Sequence, residues 1–115
     1  MRDNHDESLQ RLVHISEAIT SIEQYVASET ELSFCEKGLV HDAVLCQFSI
    51  IGEAIVHVEK EMLDKYVYPW YKVRSFRNLI SHEYFNVNFE AVWQIIIKDL
   101  PELKKVISEI LLTEF

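Results

Sequence analysis

An all-α fold, an antiparallel bundle of four or five helices, is what this sequence predicts, and three observations predict it. Only two glycines and two prolines interrupt 115 residues, too little punctuation for a strand-and-turn architecture. Apolar residues recur at intervals of three and four over long stretches, the spacing of one helix face. The chain is 49% hydrophobic, enough for one core at this length, so residues 1–115 are expected to form a single domain.

The elements follow in order. From Glu7 to about Ala27, Leu12, Ile15, Ile19, Ile22 and Val26 form the apolar stripe of a first helix, with Arg11, Glu17 and Glu23 on its wetter side. His5 and His14 fall outside the stripe and read as surface histidines. Ser28 to Lys37, followed by Gly38, reads as a linker with Leu32 and Phe34 folded back onto the core. From Leu39 to about Met62 the chain is apolar around most of a helix, which places that helix at the centre of the bundle. Its polar positions Asp42, Cys46, Ser49, Glu53, His57 and Lys60 form a narrow stripe. The stripe suits a solvated strip, and equally a border with the next helix, where Gly52 would admit a close backbone and Glu53 would hold a basic side chain.

Leu63 to Tyr68 connects to a third helix, with Pro69 in its first turn and Trp70 anchoring it. After His82 the pattern loses phase until Asn88, which is placed to cap a final segment. That segment, from Phe89 to Leu111, keeps helical phase through Pro101. Asp99 with Glu102 three residues later suggests a capping box, with the proline in the first turn of a restarted or kinked helix.

Nineteen carboxylates against eleven Lys and Arg give a formal charge of -8, which excludes a broad basic coat for nucleic acid. A small basic cleft is not excluded. Between Lys65 and His82 no acidic residue occurs, while Lys65, Lys72, Arg74 and Arg77 do. Cys35 and Cys46 lack Cys-x-x-Cys spacing and no paired histidines accompany them, so reduced thiols, no metal and no cofactor are expected. The polar start and the lack of a membrane-length apolar segment lead to an expected cytoplasmic location with no membrane contact.

On a helix from Trp70 to His82, Val73, Phe76, Leu79 and Ile80 share an apolar arc, and Arg74, Arg77, Asn78, Ser81 and His82 share a polar one. Arg77 and His82 are five positions apart, about 140° around the axis, so one straight helix does not converge them. A shared pocket needs the helix to end and turn near His82, or a second copy of the chain to face it. By chemistry alone, Arg77 suits a surface ion pair and His82 suits a helix-end cation. Asn78 and Ser81 equally suit local hydrogen bonding.

The stretch Arg77-Asn-Leu-Ile-Ser-His82-Glu-Tyr84 resembles the Arg-x4-His-x-Tyr motif of HEPN-domain ribonuclease toxins, specifically the HepT-like group paired with MntA-like nucleotidyltransferase antitoxins. Asp42-Ala-Val, Ile50-Ile-Gly-Glu-Ala54, Pro69-Trp70, Val92-Trp93 and Asp99-Leu-Pro-Glu-Leu103 follow in that family's order and spacing. Two positions depart from it: Phe76 stands where relatives often carry Met, and Cys46 where many carry Arg. The resemblance implies an HEPN-like helical fold and a metal-independent endoribonuclease with RNA as substrate. Arg77 and His82 would be its catalytic residues, combined across a homodimer cleft, with Arg74, Asn78 and Ser81 holding substrate and Glu53 in support.

A phenol with a reference pKa of about 10 is a poor proton shuttle at neutral pH, so Tyr84 needs another role. The resemblance implies that it accepts AMP from the antitoxin, which silences the toxin of a type VII toxin–antitoxin pair. The alternative is a helical binding module without turnover, a protein substrate or subunit of a separate nucleotidyltransferase. The acidic balance and Cys46 favour that alternative; the full set of Arg77, His82 and Tyr84 favours the enzyme.

Overall fold

The computed structural model describes residues 4–79 and 87–115, and every regular element among them is helical. Helix α1 (Asn4–Val26) buries Leu12, Ile15, Ile19 and Ile22, the stripe expected from its spacing. The expected linker contains a short helix, α2 (Glu31–Glu36), because Thr30 and Ser33 form a reciprocal capping box. Phe34 is fully buried there with its ring 5.3 Å from that of Trp93, whereas Leu32 is 69% exposed. Two residues apart on a helix are about 200° apart, so only one of the pair can face the core.

Helix α3 (Gly38–Ile55) packs between α1 and the segment that begins at Trp70, burying Val44, Leu45, Phe48, Ile51, Ala54 and Ile55. By length and composition alone α3 is apolar enough to cross a membrane, contrary to the expectation of no such segment; in this fold it is the central helix. It also stops short of Met62. The amides of His57 and Val58 turn back onto the carbonyls of Ala54 and Ile55, and the amide of Glu59 donates to the hydroxyl of Ser8 at 3.0 Å. Ser8 is fully buried on α1, so a neighbouring helix supplies the acceptor that a continuous α3 would have provided. Helix α4 (Lys60–Leu63) restarts the chain with Met62 and Leu63 buried.

Pro69 is the N-cap of α5 (Trp70–Ser75) rather than a first-turn residue. A 3₁₀ turn, Phe76–Asn78, follows, so the α-helix expected to reach His82 tightens after Ser75. Trp70 donates its indole N–H to the carbonyl of Leu63 at 3.0 Å, and Val73 and Phe76 are buried below it. The final rod comprises α6 (Phe89–Gln94), a π-helical segment (Ile95–Asp99) and α7 (Leu100–Glu114). Asn88 caps it as its position predicts, accepting from the amide of Ala91 at 3.0 Å. Asp99 makes no side-chain cap, so the expected capping box with Glu102 does not form. The backbone stays helical through Asp99, and the wider π turn accommodates the amide that Pro101 lacks.

Contacts along the rods establish their directions. The start of α1 meets the end of α3 at Ser8 and Glu59, while Gln47 of α3 donates to Tyr25 near the other end of α1. Lys104 near the start of α7 pairs with Glu23, and the ring of Phe115 lies 4.5 Å from that of His5. Both neighbours therefore run antiparallel to α1, giving the expected all-α bundle.

Glu114 closes the bundle by accepting from Lys65 Nζ and from the Tyr66 hydroxyl, both at 2.9 Å. Those hydrogen bonds, Lys65 first, hold the Glu114 carboxyl below the usual carboxylate range, and the same pairing raises Lys65. A depressed carboxylate stabilises the fold above its unfolded pKa, and this contribution disappears as pH falls through the folded value. The raised Lys65 contributes below its unfolded pKa and loses that contribution as pH rises through its folded value. Urea titrations across the acid range should therefore show a shallower loss of stability for Glu114→Gln than for the parent; identical acid limbs would remove the clamp from the pH response.

Candidate active site

The polar face of α5 and its 3₁₀ turn is seated on α3 through a glycine. Gly52 is buried, and a Cβ there would lie 3.0 Å from Arg77 Cβ, 3.1 Å from its Cα and closer still to its amide nitrogen. The near neighbours are backbone or the first side-chain carbon, which cannot swing aside as a side-chain tip can. Phe76 fixes the same turn from the core side, its ring edge-on to Phe48 at 5.0 Å. The position of Arg77 is thus set by backbone packing while its side chain remains 47% exposed.

Above this seat acidic side chains alternate with arginine and histidine. Arg77 faces Glu53 at 3.7 Å, and the other carboxylate oxygen of Glu53 lies 3.3 Å from His57 Nε2. His57 Nδ1 lies 4.0 Å from Glu7, which pairs in turn with Arg11 at 3.7 Å. Exposed ion pairs of this kind contribute only about 0–1 kcal/mol each. Their effect here is orientation: the carboxylate of Glu53 draws the Arg77 guanidinium along the surface of α3.

Arg74 lies one turn before Arg77 and is exposed, as is Asn78 at the end of the 3₁₀ turn. The structure therefore brings together Glu53, Arg74, Arg77 and Asn78 of the expected site. Ser81, His82 and Tyr84, with Ile80 of the expected apolar arc, lie outside the described residues. Cys46 is exposed two turns before Glu53 on α3, and neither cysteine is in a disulfide. His57 has left α3 yet still reaches Glu53, whereas Lys60 is engaged with Asp64 at 2.9 Å. Among the described residues no group of three or more His, Cys, Asp or Glu side chains is gathered to hold a metal ion.

The family model described as ribonuclease HepT-like matches residues 15–110. The chain belongs to the HepT-like ribonuclease family. It is 33% identical over 104 residues to a candidate RNase of Caldanaerobacter subterraneus subsp. tengcongensis, covering 90% of this chain and 93% of that relative. A protein of Methanocaldococcus jannaschii whose name joins gamma-glutamylcyclotransferase to a candidate RNase is 37% identical over 101 residues, 87% of this chain. Only 46% of that protein is covered, so the HepT-like chain spans about half its length. A probable ribonuclease HepT of Thermococcus cleftensis is 29% identical over 106 residues, 90% of this chain and 93% of the relative. No solved structure matches the chain.

Sequence reasoning missed two parts of this HepT-like surface. The acidic and basic residues four apart, Glu7 with Arg11 and Glu53 with His57, were visible as local pairs, but their joining across helices was not. An exposed aromatic, Tyr71, flanks Arg74 at a cleft bordered by the α3–α4 break, and that cleft has no counterpart in a helix running unbroken to Met62.

The seat of Arg77 is directly testable. Alanine at position 52 gains up to about 1 kcal/mol of helix propensity over glycine. Forcing its methyl against the Arg77 backbone costs about 1–3 kcal/mol. Gly52→Ala should therefore lose up to about 2 kcal/mol in urea denaturation, the steric cost less the full propensity gain. A variant more stable than the parent would show that the two helices separate freely at this point.

Proposed function

We propose that this chain is a metal-independent endoribonuclease, the toxin of a toxin–antitoxin pair, that cuts RNA at a composite Arg77–His82 site. The observation that carries the reading is the seat of Arg77, an exposed guanidinium on a backbone locked to Gly52 and drawn along α3 by Glu53, in a chain of the HepT-like ribonuclease family. A fixed fork of donors that stays charged at all working pH values suits a phosphate in the act of gaining charge. His82 supplies the complementary group, with a side-chain pKa near neutrality.

In this mechanism His82 takes the proton from a ribose 2′-hydroxyl, whose oxygen attacks the adjacent phosphorus. The P–O5′ bond breaks and the leaving oxygen takes a proton from water, to which His82 later gives up its own, giving a 2′,3′-cyclic phosphate and a 5′-hydroxyl. Arg77 stabilises the charge on the phosphorane oxygens, while Arg74, Asn78 and Ser81 hold the flanking backbone. On the helix expected from the sequence, positions five apart lie about 140° around the axis and do not converge, so the reading includes a homodimer whose two copies face each other across the cleft.

Tyr84 is the switch in this reading. An MntA-like nucleotidyltransferase antitoxin transfers AMP from ATP to its hydroxyl, releasing pyrophosphate and placing a phosphodiester beside the RNA site. The added negative charge repels the substrate backbone by the electrostatics that Arg77 and Arg74 use to attract it. The setting for the pair is the cytoplasm.

Cleavage of end-labelled cellular RNA by unmodified protein should fall about 10²–10⁴-fold in His82→Ala and about 10²–10³-fold in Arg77→Ala. The parent's products should carry cyclic phosphate ends, and EDTA should leave the rate unchanged. Equal silence of parent and variants, with mass excluding prior AMP addition, would favour a non-catalytic module that docks the nucleotidyltransferase. After incubation with that partner and ATP, Tyr84→Phe should gain no AMP mass; undiminished labelling would place the acceptor elsewhere. Sedimentation at micromolar concentration should give a dimer, and a monomer would count against the composite site.

A further inference from the structure

The break between α3 and α4 borders a cleft of about 600 Å³, one turn along α5 from Arg77. Its lining includes Ile55, Val58, Leu63 and Trp70, all less than one-tenth exposed. At its edge stand Tyr71, which is 64% exposed, and Arg74. Among the described lining residues Asp64 is the one acid, and Lys60 engages it at 2.9 Å. Tyr68 adds no negative charge, since burial, then Asp99 and Glu102, push its phenol up to about 12.

An apolar lining, an exposed aromatic ring and a cation beside it match the parts of a nucleotide. An exposed ring of this kind is a platform for a base, a sequence-tolerant stack, and a guanidinium takes a phosphate. The relation to Arg77 supports the match. Arg74 and Arg77 are three residues apart where the α-helix tightens into a 3₁₀ turn, a spacing that brings side chains into line. Their separation along the axis is about 5 Å, short enough for both to meet one stretch of backbone. A backbone passing Arg77 therefore also reaches Arg74, and its base then lies over the cleft.

We propose that this cleft is a nucleobase subsite, in which the base of a nucleotide next to the scissile phosphate stacks on Tyr71 while its own phosphate meets Arg74. The assignment rests on the ribonuclease reading and extends it to single-stranded RNA, because a base paired within a duplex must first be unpaired and unstacked to reach Tyr71.

The test uses a fluorescent hexanucleotide with 2′-O-methyl riboses, which binds without being cut, and the same backbone carrying no bases. Affinities are measured by anisotropy for the full-length parent, Tyr71→Ala and Tyr71→Phe; the exposure of Tyr71 keeps these substitutions clear of the core. Tyr71→Ala should bind the base-bearing strand about 5- to 150-fold more weakly, the range of one base–aromatic stack, and the baseless strand as the parent does. Tyr71→Phe should behave as the parent. Equal losses on both strands, or no loss on either, would overturn the subsite.

Cleavage of labelled RNA by the parent, followed in parallel, reports on the ribonuclease reading separately. Cleavage with Tyr71-indifferent binding removes the subsite alone. Base-selective, Tyr71-dependent binding without cleavage retains the nucleobase site and removes the nuclease.

Discussion

The basic face of this protein depends on a missing methyl group. At Gly52 the central helix presents bare backbone, and the chain at Arg77 packs directly against it. Glycine inside a helix costs about 1 kcal/mol relative to alanine, a cost that closer packing with the neighbouring turn offsets. Phe76, wedged edge-on against Phe48, holds that turn from the other side. An arginine carried on so constrained a backbone has a fixed root and a half-exposed end held only by an exposed ion pair, an arrangement that suits recognition of a mobile, charged ligand.

The amino-terminal end of α1 supports the same region twice. Ser8 takes the amide of Glu59, which stabilises the break between α3 and α4, and its neighbour Glu7 faces His57 across that break. The break that Ser8 stabilises also borders the cleft beside Arg74. The contacts that run from Arg11 through Glu7, His57 and Glu53 to Arg77 are individually weak in water, so they align side chains more than they stabilise the fold. Within a chain of net charge -8, pairing Glu53 with Arg77 also limits how far acidic surface reaches toward the basic turn.

Most of the helical framework was legible because its signal is local and repeated. The stripe of α1, the apolar character of α3 and the Asn88 cap follow from spacing and side-chain chemistry that no distant contact alters. Arg74, Arg77 and Asn78 were legible as a polar arc, and Glu53 as the acid on the facing helix, since helical geometry alone determines which residues share a side. Local signals misled where two elements of similar strength competed. The hydroxyls of Thr30 and Ser33 read as linker chemistry yet nucleate α2, and Asp99 with Glu102 read as a cap where the helix runs on through a π turn.

By itself, then, the sequence determined an all-helical bundle, its buried stripes and the exposure of Arg74, Arg77 and Asn78 on the third rod, because each follows from periodicity along one helix. The tertiary structure alone decided where α3 ends, that Arg77 sits against Gly52, and that a cleft opens between Tyr71 and α4. Those features depend on partners far apart in the chain, such as Ser8 with Glu59. A period of 3.6 residues specifies which face of a helix turns inward, but the atoms that meet that face come from other segments.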